Sequence, residues 1–276
     1  MSKIIAIANQ KGGVGKTTTA INLTAALGEL GKKVLAVDMD PQGNLTSGVG
    51  LSKEDIGKSV YHILCGNGTI EECLHTEVLK NLDVLPGSIN LSAIELELIN
   101  EENREFILKK EVEKIKDNYD YIIIDCPPAL SILTINALTT ANSVLVPIQS
   151  EYYALEGLTQ LVYTIELVKE RLNPELEIEG IVFTMYDART NLSYQVVENV
   201  KENIGYKVYE AIIPRNIRLA EAPSYGLPIS SYDPKSTGAK KYRELAEELI
   251  KEGITLSPSR VQGALHQSSI AREGES

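Results

Sequence analysis

The sequence predicts a single-domain α/β fold in which a doubly wound, mainly parallel sheet carries helices on both faces. Two observations support this fold class: short continuous apolar runs rich in Ile and Val, and longer stretches of helical periodicity between them. Continuous apolar runs are typical of strands buried on both faces, and alternating strands and helices favour right-handed crossovers. The predicted strands are 4–8, 34–38, 82–85, 121–125, 143–147, 178–184 and 208–213.

Helical periodicity fills most of the intervals between these runs. The predicted helices are 16–30, 93–117, 131–141, 155–172, 193–204 and 237–252. No Pro/Ser linker divides the chain before residue 253, so we expect residues 1–253 to form one domain. Aromatic residues vanish from residue 257 onward and Ser, Gln and Gly dominate, so residues 254–276 are expected to form a disordered polar tail.

The composition narrows the class of protein. The 276 residues include 27 Lys and Arg against 38 Asp and Glu, which gives a formal net charge of −11. With 43% hydrophobic and 24% charged residues, the chain is excluded from disordered, collagen-like and coiled-coil classes. It has no apolar run near the roughly 18–20 residues of a membrane helix, and its first residues lead us to expect no signal peptide. We therefore expect a cytoplasmic protein whose three cysteines are reduced thiols.

The clearest motif is the glycine-rich segment Gln10-Lys-Gly-Gly-Val-Gly-Lys-Thr-Thr18, which follows a predicted strand and opens a predicted helix. This is the context of a phosphate-binding loop, because glycines let backbone N–H groups approach phosphate oxygens and the helix start adds unpaired N–H groups. Lys16 is expected to contact the β/γ-phosphates, and the Thr17 hydroxyl to ligate Mg²⁺. The residues expected to bind nucleotide here are Lys11, Gly12, Gly13, Val14, Gly15, Lys16, Thr17 and Thr18.

The start of this motif departs from the common phosphate-loop pattern. That pattern requires glycine at position 10, where this sequence has Gln10, and an additional lysine, Lys11, begins the loop. A residue at the mouth of the loop is poorly placed to fold back on its own phosphates. It can instead reach a nucleotide held by a facing subunit, so Lys11 is predicted to act across a dimer.

Three carboxylates follow predicted strands at the sheet edge where open α/β sheets bind ligands. Asp40 is the candidate that orients an attacking water, and Asp125 is the candidate that holds Mg²⁺. Asp38 is a second candidate for the neighbourhood of the metal. The alternatives are structural, because Asp38 and Asp40 can cap the next turn and a lone strand-end aspartate is often a helix cap.

The segment Lys11-Gly-Gly-Val-Gly-Lys-Thr17 resembles the deviant Walker A motif of the MinD/ParA superfamily. Three further segments resemble its ParA/Soj branch: Asp38-Met-Asp-Pro-Gln-Gly-Asn44, Ile124-Asp-Cys-Pro-Pro128 and Pro214-Arg-Asn-Ile-Arg-Leu-Ala-Glu-Ala-Pro223. The resemblance implies a P-loop NTPase fold, ATP and Mg²⁺ as cofactors, and an ATPase that is slow without its partner. It also implies plasmid or chromosome partitioning, a homodimer on ATP binding, non-specific binding to double-stranded DNA, and activation by a ParB/Spo0J-type protein.

The resemblance implies roles for individual residues as well. The catalytic set is Asp40, which receives the water-orienting role, together with Lys11 and Lys16. Pro214 and Asn216 are implied to bind the adenine base. Met185 and Asp187, at the end of the preceding predicted strand, are weaker candidates near the base, and Glu151 is a candidate near the ribose across the dimer. Asn216 as a helix cap and Glu151 as a surface carboxylate remain open alternatives.

Positive charge is concentrated in residues 189–243, where nine basic residues stand against five acidic ones. Non-specific DNA binding needs clustered positive charge directed at phosphates, and a dimer would double such a patch. The candidate DNA contacts are Arg189, Arg215 and Arg218, with Lys235, Lys240 and Lys241 as weaker candidates. The alternative is a solvated basic face. We expect the protein to associate with the nucleoid in the cytoplasm.

Three rival functions fit the sequence less well than the DNA switch. A MinD-like membrane ATPase should end in a basic amphipathic helix, whereas residues 240–252 are mixed in charge, so no membrane partner is expected. A nitrogenase-type reductase needs several cysteines that ligate an iron–sulfur cluster, and Cys126 is the one cysteine near the Ile124-Asp-Cys-Pro-Pro128 segment. A metabolic kinase or ligase would need acceptor-binding residues, which the sequence does not reveal.

Overall fold

A seven-stranded sheet runs through residues 2–151 and 154–255, the parts of the chain that the computed structural model describes. Its strands are β1 (Lys3–Ile7), β2 (Val34–Asp38), β3 (His75–Leu79), β4 (Leu82–Leu85), β5 (Tyr121–Asp125), β6 (Ser143–Gln149) and β7 (Glu177–Thr184). Their spatial order is β3-β4-β2-β5-β1-β6-β7, and all pairs are parallel except β3 with β4. The predicted doubly wound, mainly parallel fold is confirmed.

Twelve α-helices are described in these residues. They are α1 (Lys16–Glu29), α2 (Asn44–Gly48), α3 (Val60–Leu64), α4 (Ile70–Cys73), α5 (Ile94–Glu97), α6 (Ile107–Val112), α7 (Ile132–Thr140), α8 (Ala154–Arg171), α9 (Asn191–Asn203), α10 (Ile217–Glu221), α11 (Ile229–Tyr232) and α12 (Thr237–Thr255). Short 3₁₀ turns cover Ile89–Ala93, Arg104–Phe106, Lys116–Asn118 and Ala222–Tyr225. Helix α12 continues past the predicted domain end at residue 253, and residues 256–276 of the predicted tail lie outside the described residues.

The strands are apolar on both faces because each face of the sheet packs against its own layer of helices. Along β2, Leu35 and Val37 join one core, and Val34 and Ala36 join the other. Helices α7, α8 and α9 contribute to the first core, while α1 and α12 contribute to the second. Side chains that alternate across a strand explain this division, and they explain why the strands read as unbroken apolar runs.

The carboxyl ends of the central strands are level with one another. Asp125, the last residue of β5, pairs in register with Ile7 of β1 on one side and with Asp38 of β2 on the other. The loops that follow these strands therefore emerge side by side at one edge of the sheet. This is the edge at which open parallel sheets bind ligands.

The single helix predicted over 93–117 is wrong. The structure breaks this stretch into α5, α6 and two 3₁₀ turns. Asn103 has a φ of 57°, in the left-handed region, so a continuous right-handed helix cannot pass through it. The apolar periodicity is real, because Leu98, Leu108 and Val112 are buried, but it belongs to several short elements.

Two strand predictions also need correction. Residues 208–213 form one isolated bridge, from Val208 to Ile181 of β7, rather than a continuous strand, although Tyr209, Ala211 and Ile213 are buried. The apolar alternation there reflects packing without a regular ladder. Strand β3 was not predicted, because it is a short edge strand of mixed polarity whose residues are half-buried or exposed.

Candidate functional site

The glycine-rich loop connects β1 to α1 through a backbone conformation that glycine adopts easily. Gly13 and Gly15 have φ values of 76° and 85°, where a side chain would be strained. Gly15 is also the N-cap residue of α1 and has no side chain with which to cap the helix. The loop therefore brings uncapped N–H groups and the positive end of the α1 dipole together, which is an arrangement that suits an anion.

Lys16, the first residue of α1, is folded into this loop. Its side-chain Nζ donates to the backbone carbonyl of Lys11 at 3.1 Å, and the residue is only 6% exposed. Burial lowers the pKa of Lys16, while the negative charges of Asp125 and Asp40 act in the opposite direction. The ammonium group is thus positioned over the loop among acidic neighbours, where Lys16 was predicted to contact phosphate.

Three polar side chains that no sequence motif indicates hold the loop from outside. Gln149 Nε2 donates to the carbonyl of Gly13 at 2.9 Å, and Thr184 Oγ1 donates to the carbonyl of Val14 at 2.8 Å. Asn9 Oδ1 accepts the N–H two residues ahead of it at 2.9 Å. The Gln149 and Thr184 bonds take up loop carbonyls, while Asn9 takes up the N–H of Lys11, so the loop N–H groups that remain free are available to a ligand. The available clue was that each polar residue ends or follows a strand that is otherwise apolar.

Lys11 and Glu151, both predicted nucleotide-site residues, contact each other within one chain. Lys11 Nζ donates to Glu151 Oε2 at 2.7 Å, and the two side chains are about half exposed at 46% and 50%. An exposed ion pair of this kind contributes at most about 1 kcal/mol. The pair is therefore weak enough to be exchanged for a phosphate contact.

Asp125 presents a buried carboxylate whose hydrogen-bonding capacity is not satisfied within the described part of the chain. Neither of its side-chain oxygens accepts a hydrogen bond of ordinary geometry from the described residues. Burial raises the pKa of Asp125, the nearby Asp38 raises it further, and the Thr17 side chain and Lys16 lower it. An unpaired buried carboxylate is costly, so its presence beside Thr17 indicates a cation site.

Asp38, by contrast, is fully engaged. Its Oδ2 accepts the N–H of Thr46 at 2.8 Å and the Thr46 hydroxyl at 2.7 Å, and its Oδ1 accepts the N–H of Asp40 at 3.2 Å. The same Thr46 hydroxyl accepts the N–H of Gly87 at 2.9 Å. We call Asp38, Thr46 and Gly87 the Asp38 clamp. Burial raises the pKa of Asp38 to about 6, and the Thr46 hydrogen bonds oppose that rise.

Gly87 in this clamp has no room for a larger residue. A Cβ atom at this position would lie 2.9 Å from Cγ of Asp38. Thr46 and Gly87 could not be recognised from the sequence, because neither belongs to a known motif. Since the hydrogen bonds of Asp38 are all made to its own chain, the structure favours the turn-holding alternative for this residue over metal ligation.

Asp40 lies in the turn that the clamp supports. Its Oδ1 accepts the N–H of Gln42 at 2.9 Å, and its carbonyl accepts the N–H of Gly43. Asp40 therefore caps the turn that follows it, which was the structural alternative for this residue. Its carboxylate also lies close enough to Lys16 and Asp125 to influence their pKa values. Asp40 therefore stands near the phosphate loop with a free carboxylate oxygen.

The predicted base-side residues lie on neighbouring segments beside the loop. Met185 has a φ of 51°, and its Sδ lies 2.9 Å from the same Gln149 amide nitrogen that braces the loop. Pro214 forms an isolated parallel β-bridge with Tyr186, the residue that follows Met185. Asn216 caps α10, because its side-chain oxygen accepts the N–H of Arg218 at 2.8 Å. The structure therefore shows the helix-cap role that was the alternative to base binding for this residue.

A cavity of about 350 Å³ opens beside Met185. Its lining includes Gln149, Glu151, Met185, Asp187, Arg189 and Arg215. Arg189, which is 86% exposed, pairs with Asp187 at 2.7 Å, and this pairing holds the pKa of the Asp187 carboxyl below its usual range. The predicted base-side and DNA-side residues therefore share one surface.

The three predicted DNA-contact arginines are all exposed but differ in their partners. Arg218 pairs with Glu221 at 3.0 Å and with Asp233 at 3.8 Å. Arg215 forms no ion pair within residues 2–151 and 154–255. The structure thus places Arg189 and Arg215 together on the rim of one cavity, while Arg218 lies on α10 in its own acidic surroundings.

Other residue types give no competing site. Among the described residues, no group of three or more His, Cys, Asp or Glu side chains has the arrangement of a metal centre. Mg²⁺ in phosphate-transfer sites needs only one or two protein oxygens besides the phosphates, so Asp125 and Thr17 suffice.

None of the helices in the described ranges combines the length and the apolar character needed to cross a membrane.

The fold and the loop define a class, a P-loop ATPase of the deviant Walker A type. A sequence model of a family described as an AAA domain matches residues 2–178. The sporulation initiation inhibitor protein Soj of Bacillus subtilis (strain 168) is 55% identical over 253 residues, or 92% of this chain and 100% of that protein. The chromosome partitioning protein ParA of Myxococcus xanthus is 52% identical over 94% of this chain and 92% of that protein.

Solved structures show the same architecture. Cobyrinic acid a,c-diamide synthase from Mycobacterium smegmatis, with bound ATP analogue and magnesium, has a TM-score of 0.80 and 37% identity. The similarity covers 91% of this chain and 95% of that chain. On the higher identity and nearly full coverage of the partitioning proteins, the chain belongs to the Soj/ParA family of chromosome-partitioning ATPases.

Proposed function

We propose that this ATPase is a DNA-partitioning switch that binds ATP and Mg²⁺, closes into a sandwich dimer and then binds DNA without sequence preference. Hydrolysis, stimulated by a ParB-type partner, returns the dimer to monomers and releases the DNA. The observation that carries the nucleotide step is the meeting of Lys16, Thr17 and the buried Asp125 at the start of α1. Family membership supports the partitioning role.

The donor set suits Mg²⁺. Asp125 offers two buried oxygens that accept no hydrogen bond of ordinary geometry from residues 2–151 and 154–255, and Thr17 offers a hydroxyl beside them. We assign these two residues to hold the ion, with Asp125 acting directly or through water. Bound Mg²⁺ would neutralise charge on the β- and γ-phosphates. Asp38 supports the site by fixing the turn that carries Asp40.

Hydrolysis in this proposal depends on positioning rather than on covalent catalysis. Asp40 accepts a hydrogen bond from the attacking water, and Lys16 and the loop N–H groups hold the phosphate oxygens in place. The Asp38 clamp keeps Asp40 at the mouth of the loop. The expected rate is low without a partner, because a switch must remain in its ATP state long enough to act.

Dimerisation assigns a second role to the loop. Lys11 leaves Glu151 of its own chain and contacts the phosphates of the partner's nucleotide, so a dimer forms only around bound ATP. Glu151 is then released toward the partner's ribose. The ion pair that must open is exposed and weak, which keeps the energetic cost of this exchange small.

DNA binding follows from dimer formation. Each subunit contributes Arg189, Arg215 and Arg218, and the dimer aligns two such sets along one duplex. Contacts of this kind address phosphates, so they give salt-dependent binding without sequence preference. The protein would therefore associate with the nucleoid in the ATP state and leave it after hydrolysis.

The test is ATP hydrolysis by purified wild-type protein and by matched variants. We expect slow Mg²⁺-dependent phosphate release from the wild type, no release from Lys16→Ala, and nucleotide binding without release from Asp40→Ala. Asp117→Ala, which removes an exposed carboxylate on another surface, serves as the matched control and should behave like the wild type. Normal hydrolysis by Asp40→Ala would show that another residue orients the water.

A further inference from the structure

Gln10, the residue before Lys11, joins the mouth of the phosphate loop to helix α8. The common phosphate-loop pattern has glycine at this position, but Gln10 does not adopt a left-handed φ, so its backbone does not require glycine. The position can therefore carry a side chain without strain. The amide Nε2 of that side chain donates to the Thr164 hydroxyl on α8 at 2.9 Å, across 154 residues of sequence.

The hydrogen bond between Gln10 and Thr164 is shielded from water. Thr164 is only 6% exposed, and its hydroxyl donates in turn to the carbonyl of Gln160 at 3.1 Å, which leaves its oxygen free to accept from Gln10. The two side chains meet in a crevice of about 10 Å³ that Pro127 and Leu161 also line. This space is too small for a ligand, and its apolar walls strengthen the bond. The bond therefore serves to connect the loop with the helix.

The backbone of Lys11 is held at both of its polar groups. Its N–H donates to Asn9 Oδ1 at 2.9 Å, and its carbonyl accepts from Lys16 Nζ at 3.1 Å. Asn9 is itself anchored, because its Nδ2 donates to the carbonyl of Pro147 in β6 at 2.8 Å. Since Gln10 is bonded to α8, both residues before Lys11 are attached to neighbouring elements. The backbone of Lys11 is thus fixed while its side chain remains about half exposed.

Helix α8 is also the element that follows Glu151, the ion-pair partner of Lys11. The helix begins at Ala154, and Thr164 lies near its middle. The bond from Gln10 therefore attaches the mouth of the loop to the helix next to Glu151. With the loop start held in this way, an exchange of Lys11 from Glu151 to a phosphate of the facing subunit needs only a side-chain movement. Such preorganisation lowers the ordering cost of dimer formation.

We propose that Gln10 is a positioning residue for dimer formation, which acts through Thr164 to direct Lys11 toward the nucleotide of the facing subunit. This role rests on the dimerisation step of the proposed function. A glycine here would remove the link to α8 and add backbone freedom next to Lys11, which accounts for the departure from the common pattern. Gln10 is assigned to no phosphate, so nucleotide binding to one subunit should not depend on its side chain.

The role is tested by sedimentation velocity with ATP, in the Asp40→Ala background that prevents hydrolysis. Gln10→Ala and Thr164→Val should each raise the dissociation constant of the dimer roughly tenfold, because the loop start must then be ordered in both subunits. Thr164→Ser keeps the accepting hydroxyl and should dimerise as the background protein does. Gln10→Ala combined with Thr164→Val should cause no further loss, since both changes remove the same bond.

ADP affinity separates positioning from general damage to the loop. Titration calorimetry should find the same ADP affinity for Gln10→Ala and for the background protein, because the phosphate-binding groups are unchanged. Gln195→Ala, which removes an exposed glutamine amide on α9, is the matched control and should leave both measurements unchanged. Normal dimerisation of Gln10→Ala, a parallel loss of ADP affinity, or equal weakening by Thr164→Ser or by the control would overturn the positioning role.

Hydrogen exchange decides the positioning of Lys11 without a dimer. Mass spectrometry follows the peptide that contains Lys11 in the ADP-bound protein. Exchange in this peptide should be several-fold faster in Gln10→Ala and in Thr164→Val, but not in Thr164→Ser. Unchanged exchange in Gln10→Ala would show that Gln10 does not hold the loop. A background protein that stays monomeric with ATP would contradict the proposed dimerisation, while the exchange result would still decide whether Gln10 positions Lys11.

Discussion

Asp38 and Asp125 end neighbouring strands in register, but only the Asp38 carboxylate accepts hydrogen bonds of ordinary geometry from the described residues. Both carboxylates are fully buried, so desolvation raises both pKa values. The three hydrogen bonds of Asp38 compensate its burial and fix the turn before Asp40. Asp125 has only the Thr17 side chain and the charge of Lys16 to offset its burial. Of the two strand-end aspartates, Asp38 therefore supports the site and Asp125 remains available to a cation.

Thr46→Val should destabilise the protein by about 1–3 kcal/mol in the free energy of unfolding. Valine keeps the shape of threonine but removes the hydroxyl that donates to Asp38 and accepts the N–H of Gly87, leaving a buried N–H unpaired. Urea unfolding measures the change. Thr24→Val is the matched control, because the Thr24 hydroxyl only supplements helix carbonyls. Equal losses for the two variants would remove the special role of the clamp.

Lys16→Ala should weaken ATP binding by about 10- to 150-fold. A charge-assisted hydrogen bond contributes about 1.5–3 kcal/mol, and Lys16 is the cation buried in the loop. Titration calorimetry with a non-hydrolysable ATP analogue measures the affinity. Lys33→Ala, which removes an exposed lysine directly before β2, should bind as the wild type does. Similar weakening of both variants would indicate a general loss of positive charge.

Lys11→Ala should bind ATP and fail to dimerise, because the residue acts on the partner's phosphates. Glu151→Gln removes the ion pair that holds Lys11 in the monomer, and this variant should dimerise at least as well as the wild type. Sedimentation velocity with ATP, in an Asp40→Ala background that prevents hydrolysis, separates the two states. Normal dimerisation of Lys11→Ala would exclude the contact across the dimer.

Arg189→Glu should dimerise with ATP but lose most of its DNA affinity. The residue is 86% exposed and its only described partner is Asp187, so the substitution should not disturb the core. For Arg189→Ala, the slope of log affinity against log salt should become shallower by roughly 0.9 for each DNA phosphate that the arginine no longer neutralises. Arg171→Glu, a charge reversal at the end of α8, is the control. DNA binding unchanged in Arg189→Glu would exclude this residue from the DNA surface.

The sequence was sufficient for the parts of the site that are local. Residues 10–18 form the predicted loop after β1 and the first turn of α1, because a strand, glycines and a helix start follow one another along the chain. Asp125 is recognisable because it ends an apolar strand. The sheet could also be predicted from a local pattern, because apolar runs mark strands that are buried on both faces.

The interactions that shape the loop from outside could not be predicted in this way. Gln149, Thr184 and Gly87 act on residues far from them in sequence, and their positions depend on how the strands are ordered. Asn103 shows the same limit in a helix, where one left-handed residue ended a pattern of otherwise continuous periodicity. Spatial order and single backbone conformations both arise from tertiary packing rather than from local pattern.

The central claim is that ATP, and not ADP, creates the DNA-binding form. The measurement that tests it most directly is duplex DNA binding by the Asp40→Ala variant, with ATP and with ADP, at two salt concentrations and on two unrelated sequences. We expect binding only with ATP, equal for both sequences and steeply weakened at the higher salt concentration. Equal binding with ADP, or no binding while the ATP dimer forms normally, would contradict this claim.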